Sequence, residues 1–230
     1  MKFRLTRFGS LRPTQHDARP EKDDLLSLHK QEIREEFHGQ LKQLWRENKF
    51  LREHKVDPNL FGGTFRPVAE QGAIWSYDTE KLPFMHDVMA KWYPGRNGFN
   101  FLPLVPARFD VLVSLNILFL RRDPPGSTFT AGDIDNRIKT IIDALRPPKN
   151  PNEYEGYDEG NGKKPIMPKA GQDPFYVLME DDKQVSHFAV ETDTLLDPPS
   201  DDDPDKSKAK VIITVELRPY NVSTFNLSYS

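Results

Sequence analysis

Asp133 and Asp135 stand two residues apart in the stretch AGDIDNRIKTIIDAL (131–145), and Lys139 follows one helical turn later. A second acidic pair, Asp181 and Asp182, lies in MEDDKQV (179–185). Magnesium takes hard oxygen ligands, commonly one or two carboxylates together with water and substrate phosphate. Two acids at a helix start supply such ligands, and a third from a neighbouring strand completes the set. A lysine one turn in can neutralise charge on a phosphate or a leaving oxygen. The chemistry this residue set suits is phosphodiester hydrolysis. The same residues also have a purely structural reading. Aspartate favours the helix N-cap, where its charge meets the positive end of the helix dipole. Lys139 sits at the i,i+4 spacing of a helical ion pair with Asp135, and Asp181–Asp182 suits a turn. Taken alone, the residues leave both readings open.

Positioning these residues requires a helix over DIDNRIKTIIDAL, with Ile138, Ile141, Ile142 and Leu145 toward a core and the prolines of RPPKN as its stop. A strand is predicted before it in FDVLVSLNILFLRR (109–122), where Phe109, Val111, Val113, Leu115, Ile117 and Phe119 share one face by period two. FYVLMEDDKQVSHFAVET reads as one or two further strands, KVIITVELRP (210–219) as a last one, and KFRLTRF (2–8) as a first. If the acidic segment stays extended, Glu180, Asp182 and Gln184 point one way and Asp181 the other, so only one aspartate of the pair can look into a site. A long helix is predicted over residues 21–48, with Ile33, Phe37, Leu41, Leu44 and Trp45 on its apolar face.

This order of elements predicts an α+β fold with a small mixed or antiparallel sheet in a single domain of 1–230. Residues 57–107 read as an irregular insertion with a short helix near FMHDVMAKW. Residues 147–174 read as a mobile insertion, and 197–209 as a polar loop. The absence of cysteine excludes disulfides and cysteine–zinc sites. No apolar run is long enough to span a bilayer, and the N-terminus lacks the apolar core of a secretory signal, so no membrane partner and a cytoplasmic location are expected.

The two motifs together resemble the RusA family of Holliday junction resolvases. That family carries Asp-x-Asp-Asn-x-x-Lys at a helix start, then Asp-Ala-Leu, then Asp-Asp-x-Gln-Val. The corresponding residues here are Asp133, Asp135, Asn136 and Lys139, then Asp143, Ala144 and Leu145, then Asp181, Asp182, Gln184 and Val185. The match covers roughly residues 109–146 and 175–218. The resemblance implies a RusA-like small mixed sheet flanked by helices, and magnesium-dependent cleavage of branched DNA by a homodimer, with manganese as a substitute metal. It implies Asp133, Asp135 and Asp182 as metal ligands and Lys139 as the catalytic lysine. Asn136, Asp143, Asp181 and Gln184 are then supporting residues. The alternative is a DNA- or protein-binding module that keeps this fold without cleaving.

Competing motifs are weaker. An Asp-x-Asp phosphatase of the haloacid-dehalogenase type needs its motif at the end of a hydrophobic strand, but GSTFTAG precedes it here. Asp201, Asp203 and Asp205 have calcium-loop spacing without the loop glycine or closing glutamate. No His-x-x-x-His pair and no phosphate-cradling glycine loop is present. The formal net charge of −3 requires any DNA contact to come from a local basic patch. In the N-terminal helix Lys30, Arg34, His38, Lys42 and Arg46 recur every four residues beside the apolar ridge. Lys30, Arg34, Lys42 and Arg46 have no acid three or four positions away within the helix, so this ridge is read as a track for a DNA backbone, with a solvated helix face as the alternative.

Overall fold

The computed structural model describes residues 1–11, 20–56, 81–122, 134–158, 162–196, 208–222, 226 and 229, with 20–24 by backbone alone. The architecture is α+β. Strands β1 (Lys2–Ser10), β4 (Val111–Arg121), β8 (Val185–Thr194) and β9 (Lys208–Pro219) form one mixed sheet in the order β1-β9-β4-β8. Only the β4–β8 pair is parallel in it. β2 (Tyr93–Pro94), β3 (Asn100–Val105) and β7 (Phe175–Met179) form a second sheet in which β3 and β7 run parallel. β5 (Glu155–Asp158) and β6 (Gly162–Pro165) form a separate hairpin.

The period-two pattern of β4 is met at Val111, Val113, Leu115, Ile117 and Phe119, all buried. Their direct partners on β9 include Leu217, Val215, Ile213 and Val211, so the two central strands present matched apolar rows to the core. The long helix is α1 (Pro20–Glu47), which buries Ile33, Phe37, Leu41 and Trp45 at its four-residue spacing. Short helices α2 (Lys49–Glu53) and α3 (Met85–Met89) follow, and α4 (Ile134–Ala144) is the motif helix. Ile138, Ile141 and Leu145 are buried as expected, while Ile142 is partly so. Among the described residues no helix is long and apolar enough to cross a membrane.

Three expected segments differ in the structure. Residues 57–107 are not wholly an irregular insertion, because NFLPLV (100–105) is a buried strand pairing with β7; residues 57–80 lie outside the described residues. A strand covered on both faces reads as a continuous apolar run rather than an alternation. Pro103 argues further against a strand, yet β2 pairs only with Phe101 and Asn100, so the proline falls where β3 has β7 alone as partner. The described part of 147–174 is a docked element rather than a loose lid. Pro151–Tyr154 makes a 3-10 turn, β5 packs on α1, and Gly156 lies so close to Leu28 that an added Cβ would stand 2.5 Å from its methyl carbon. Of the polar loop 197–209, residues 197–207 are outside the described set, and Lys208 and Ala209 already belong to β9.

Candidate metal and phosphodiester site

Asp135 and Lys139 on α4 and Asp182 after β7 line one cavity of about 570 Å³, together with Asp143. Its remaining walls are apolar: Ile134, Ile138 and Ile142 from α4, and Val185, Phe188 and Val190 from β8. Asp133 immediately precedes α4 and lies outside the described residues. Among the described residues no three His, Asp or Glu side chains group closely enough to hold a metal ion.

Backbone bonds hold the two halves of the site together. Proline at 147 and 148 ends α4, and the carbonyl of Leu145 at that end accepts from the N–H groups of Leu178 (2.9 Å) and Met179 (3.2 Å) on β7. The exit of β7 is thereby attached to the end of α4. Glu180 N–H then donates to Val105 O at 3.1 Å, and its carboxylate accepts from Tyr93 Oη (3.0 Å) and Ala107 N–H (2.8 Å).

The acidic segment is not extended. Asp182–Gln184 forms a 3-10 turn whose N-cap is Asp181, the carboxylate of which accepts from Lys183 N–H at 2.9 Å. The strand alternation that was to separate Asp181 from Asp182 therefore does not apply. Gln184 is buried. Its Oε1 accepts from the N–H groups of Glu180 and Asp181, both at 3.0 Å, and its Nε2 donates to Val105 O at 3.0 Å. Gln184 thus ties the turn to β3, a structural role.

β8 begins with a bulge. Val185 faces Val113, but the next residue of β4, Ser114, faces His187, so Ser186 is an extra residue on β8. One extra residue reverses the in–out parity of a strand. This is why Val185 and, beyond the bulge, Phe188 and Val190 line the same cavity. Phe188 is 57% exposed.

The charges divide into two groups. Asp135 and Lys139 are exposed and form no ion pair with each other, contrary to the helical pairing that their spacing allows. Asp135 Oδ1 accepts from Asn136 N–H at 2.9 Å, satisfying one donor of the helix's first turn. Asp182, by contrast, is faced by cations on both oxygens: Lys149 Nζ at 2.6 Å from Oδ1, and Arg146 Nε at 3.6 Å from Oδ2. Lys149 Nζ also donates to Asp181 Oδ1 at 3.0 Å. Burial works against the charge of Lys149, but the hydrogen bonds to Asp182 and Asp181 prevail and hold its pKa above that of an ordinary lysine. Partial burial likewise opposes ionisation of Asp181, but hydrogen bonding with Lys183 N–H, Asp182 and Lys149 brings it down to about 2.

Behind the cavity the charges are buried. Asp143 receives Lys30 Nζ at 2.7 Å and an Arg146 nitrogen at 2.6 Å. Burial resists its charge, but these two cations outweigh that and lower its pKa. Arg34 donates to Arg146 O (3.0 Å), Asp143 O (3.2 Å) and Gln31 Oε1 (2.9 Å). Glu153 faces Arg34 and Arg146 at 3.9 and 3.8 Å, beyond hydrogen-bond range.

The DNA-tracking ridge of α1 is corrected accordingly. Lys30 is 8% exposed and Arg34 1%, both committed to the 143–146 segment, so neither can meet a phosphate. His38 is buried too. Its Nδ1 accepts from Tyr176 N–H at 2.9 Å, and burial, aided by Lys42, pushes its pKa down to about 4, so it is neutral at pH 7. Lys42, which donates to Gly171 O at 2.7 Å, and the exposed Arg46 remain as candidate contacts. The residues missed in the sequence are Arg146 and Lys149. Their one visible signal was position, since cations just past a helix C-terminus complement its dipole.

No family model matches the chain, and neither a curated protein nor a solved structure matches it.

Proposed function

We propose that the chain is a divalent-metal-dependent endonuclease of the RusA kind, acting on branched DNA as a homodimer. The observation that carries this reading is the meeting of Asp135, Lys139 and Asp182 at one cavity, although the β5–β6 hairpin and strand β7 separate Asp182 from the other two in the chain. The donor chemistry fits magnesium or manganese, since carboxylate oxygens are their usual protein ligands. Asp135 and Asp182 would hold the ion, with Asp133 as the third ligand. When bound, the metal supplies Lewis-acid polarisation of the phosphoryl group and a water of lowered pKa. Lys139 offsets negative charge on the phosphate from one turn along α4. Asp143 acts at one remove as a positioning residue, fixing the Arg146 guanidinium that faces Asp182. A four-way junction presents two equivalent strands, and a two-fold pair of sites matches that symmetry.

A second reading, a DNA- or protein-binding module of the same fold that does not cleave, draws on the cations that face Asp182 and on the apolar walls of the cavity. One assay separates the two. The purified chain is incubated with a labelled four-way junction and a matched linear duplex in magnesium, manganese or EDTA. The nuclease reading expects metal-dependent nicking near the branch. Asp135→Asn and Asp182→Asn should each lower it by at least about a hundredfold, since even outer-sphere changes at metal sites cost ~10–100-fold. Asp181→Asn, which can still cap the turn, should stay within about tenfold. Junction binding with no nicking in either metal favours the second reading. Monomer alone in sedimentation, with and without DNA, contradicts paired incision.

A further inference from the structure

We infer that Lys149 competes with the divalent cation for Asp182 and so sets how tightly the site holds metal. The inference rests on the metal-site reading above and concerns a residue outside both motifs. Lys149 follows Arg146-Pro147-Pro148 at the end of α4, and its ammonium lies between two carboxylates, 2.6 Å from Asp182 Oδ1 and 3.0 Å from Asp181 Oδ1. The lone pairs into which an ammonium donates are those a metal ion uses. Magnesium binds a carboxylate oxygen at about 2.0–2.1 Å, so an ion sharing Oδ1 would stand within roughly 5 Å of the lysine nitrogen. Like charges that close repel each other even at a partly solvated site.

Of the two cations that face Asp182, only Lys149 is free to give way. Arg146 is 5% exposed and anchored by Asp143 at 2.6 Å and by Pro147 O at 2.9 Å. Lys149 has a side chain 37% exposed, on a flexible four-carbon stem whose ammonium bonds, among the described residues, go to these two aspartates. Two prolines before it stiffen the backbone, so the side chain can swing while its Cα stays in place. Lys149 thus sets the affinity of the site for metal, and Asp181, which shares its ammonium, helps to retain it.

The test reads metal binding rather than cleavage. Manganese is titrated into the 230-residue chain and the free ion is followed by electron paramagnetic resonance. The variants are Lys149→Met, Lys149→Arg and Asp182→Asn, the last alone and combined with Lys149→Met. Thermal unfolding confirms that each is folded. Lys149→Met should bind manganese about tenfold tighter or more, Lys149→Arg should bind as wild type does, and Asp182→Asn should weaken binding in both backgrounds and abolish the gain from Lys149→Met. In the wild type, the Lys149 ¹⁵Nζ resonance should shift as magnesium is added, as the ammonium leaves its carboxylates. Unchanged or weaker binding by Lys149→Met, with Asp182→Asn still damaging, overturns the role of Lys149 and leaves the metal site standing. Binding that ignores Asp182→Asn in both backgrounds overturns the metal-site reading, and this inference with it.

Discussion

Asp143 and Asp182 share Arg146 but live in opposite surroundings. Asp143 has a side chain 8% exposed, between Lys30 and Arg146 at hydrogen-bond distance. Asp182 has one 37% exposed, with Lys149 close on one oxygen and Arg146 at 3.6 Å from the other. A buried charge must be paired, because desolvation leaves it no other compensation. A half-exposed charge can trade partners, because water or another ion can replace what it loses. The same residue type is therefore a strut one layer deeper, and one layer out it can exchange its partners. The buried group joins α1, α4 and the 146–153 segment behind the cavity, so that the front can change partners without disturbing the fold.

The comparison is broken most directly by removing each carboxylate. Asp143→Ala leaves Lys30 and Arg146 buried beside an empty place and should cost about 3–5 kcal/mol in urea unfolding. Asp182→Ala should cost no more than about 1 kcal/mol, as an exposed pair does. Equal losses would show that depth does not separate the two. A double-mutant cycle over Lys30 and Asp143 should give a larger coupling than one over Lys149 and Asp182.

Acid titration sharpens the contrast. The pKa of Asp143 is lowered from its ordinary 3.8 in the folded chain. Its stabilisation is therefore complete above pH 3.8 and is lost as pH falls through the lower folded value. The stability gap between wild type and Asp143→Asn should stay constant from neutral pH down to about 4 and narrow only below that. A gap that closes between pH 7 and 5 would contradict the pairing.

The smallest effect concerns the outer end of α1, where Lys42 and Arg46 reach the surface that Lys30 and Arg34 do not. Lys42→Ala with Arg46→Ala should leave stability within ~0.5 kcal/mol. It should also reduce the slope of log affinity for branched DNA against log salt by about one unit per lost phosphate contact. An unchanged slope would leave the whole of α1 a packing element.

Much of this was legible along the chain. The rows of β4 and β9, the apolar ridge of α1 and the buried positions of α4 follow from local periodicity, because one buried face imposes its period on the side chains that cover it. The proline stop after α4 was likewise visible, and so was the grouping of Asp135, Lys139 and Asp182, which line one cavity. Other features depend on which segment packs where, and local pattern is blind to that. Lys30 and Arg34 showed no acid three or four positions away in their own helix, yet Asp143 of α4 stands against Lys30, and the carbonyls at the end of α4 accept from Arg34. The single extra residue at Ser186, which turns Phe188 toward the cavity, is a matter of pairing with β4 and leaves no mark in composition. The bridge from Lys149 to Asp181 and Asp182 exists because the Leu145 carbonyl fastens the end of α4 to β7. Sequence chose the charged groups; burial and cross-chain contact decided which became struts and which stayed open to exchange, because the cost of an unpaired charge rises with its distance from water.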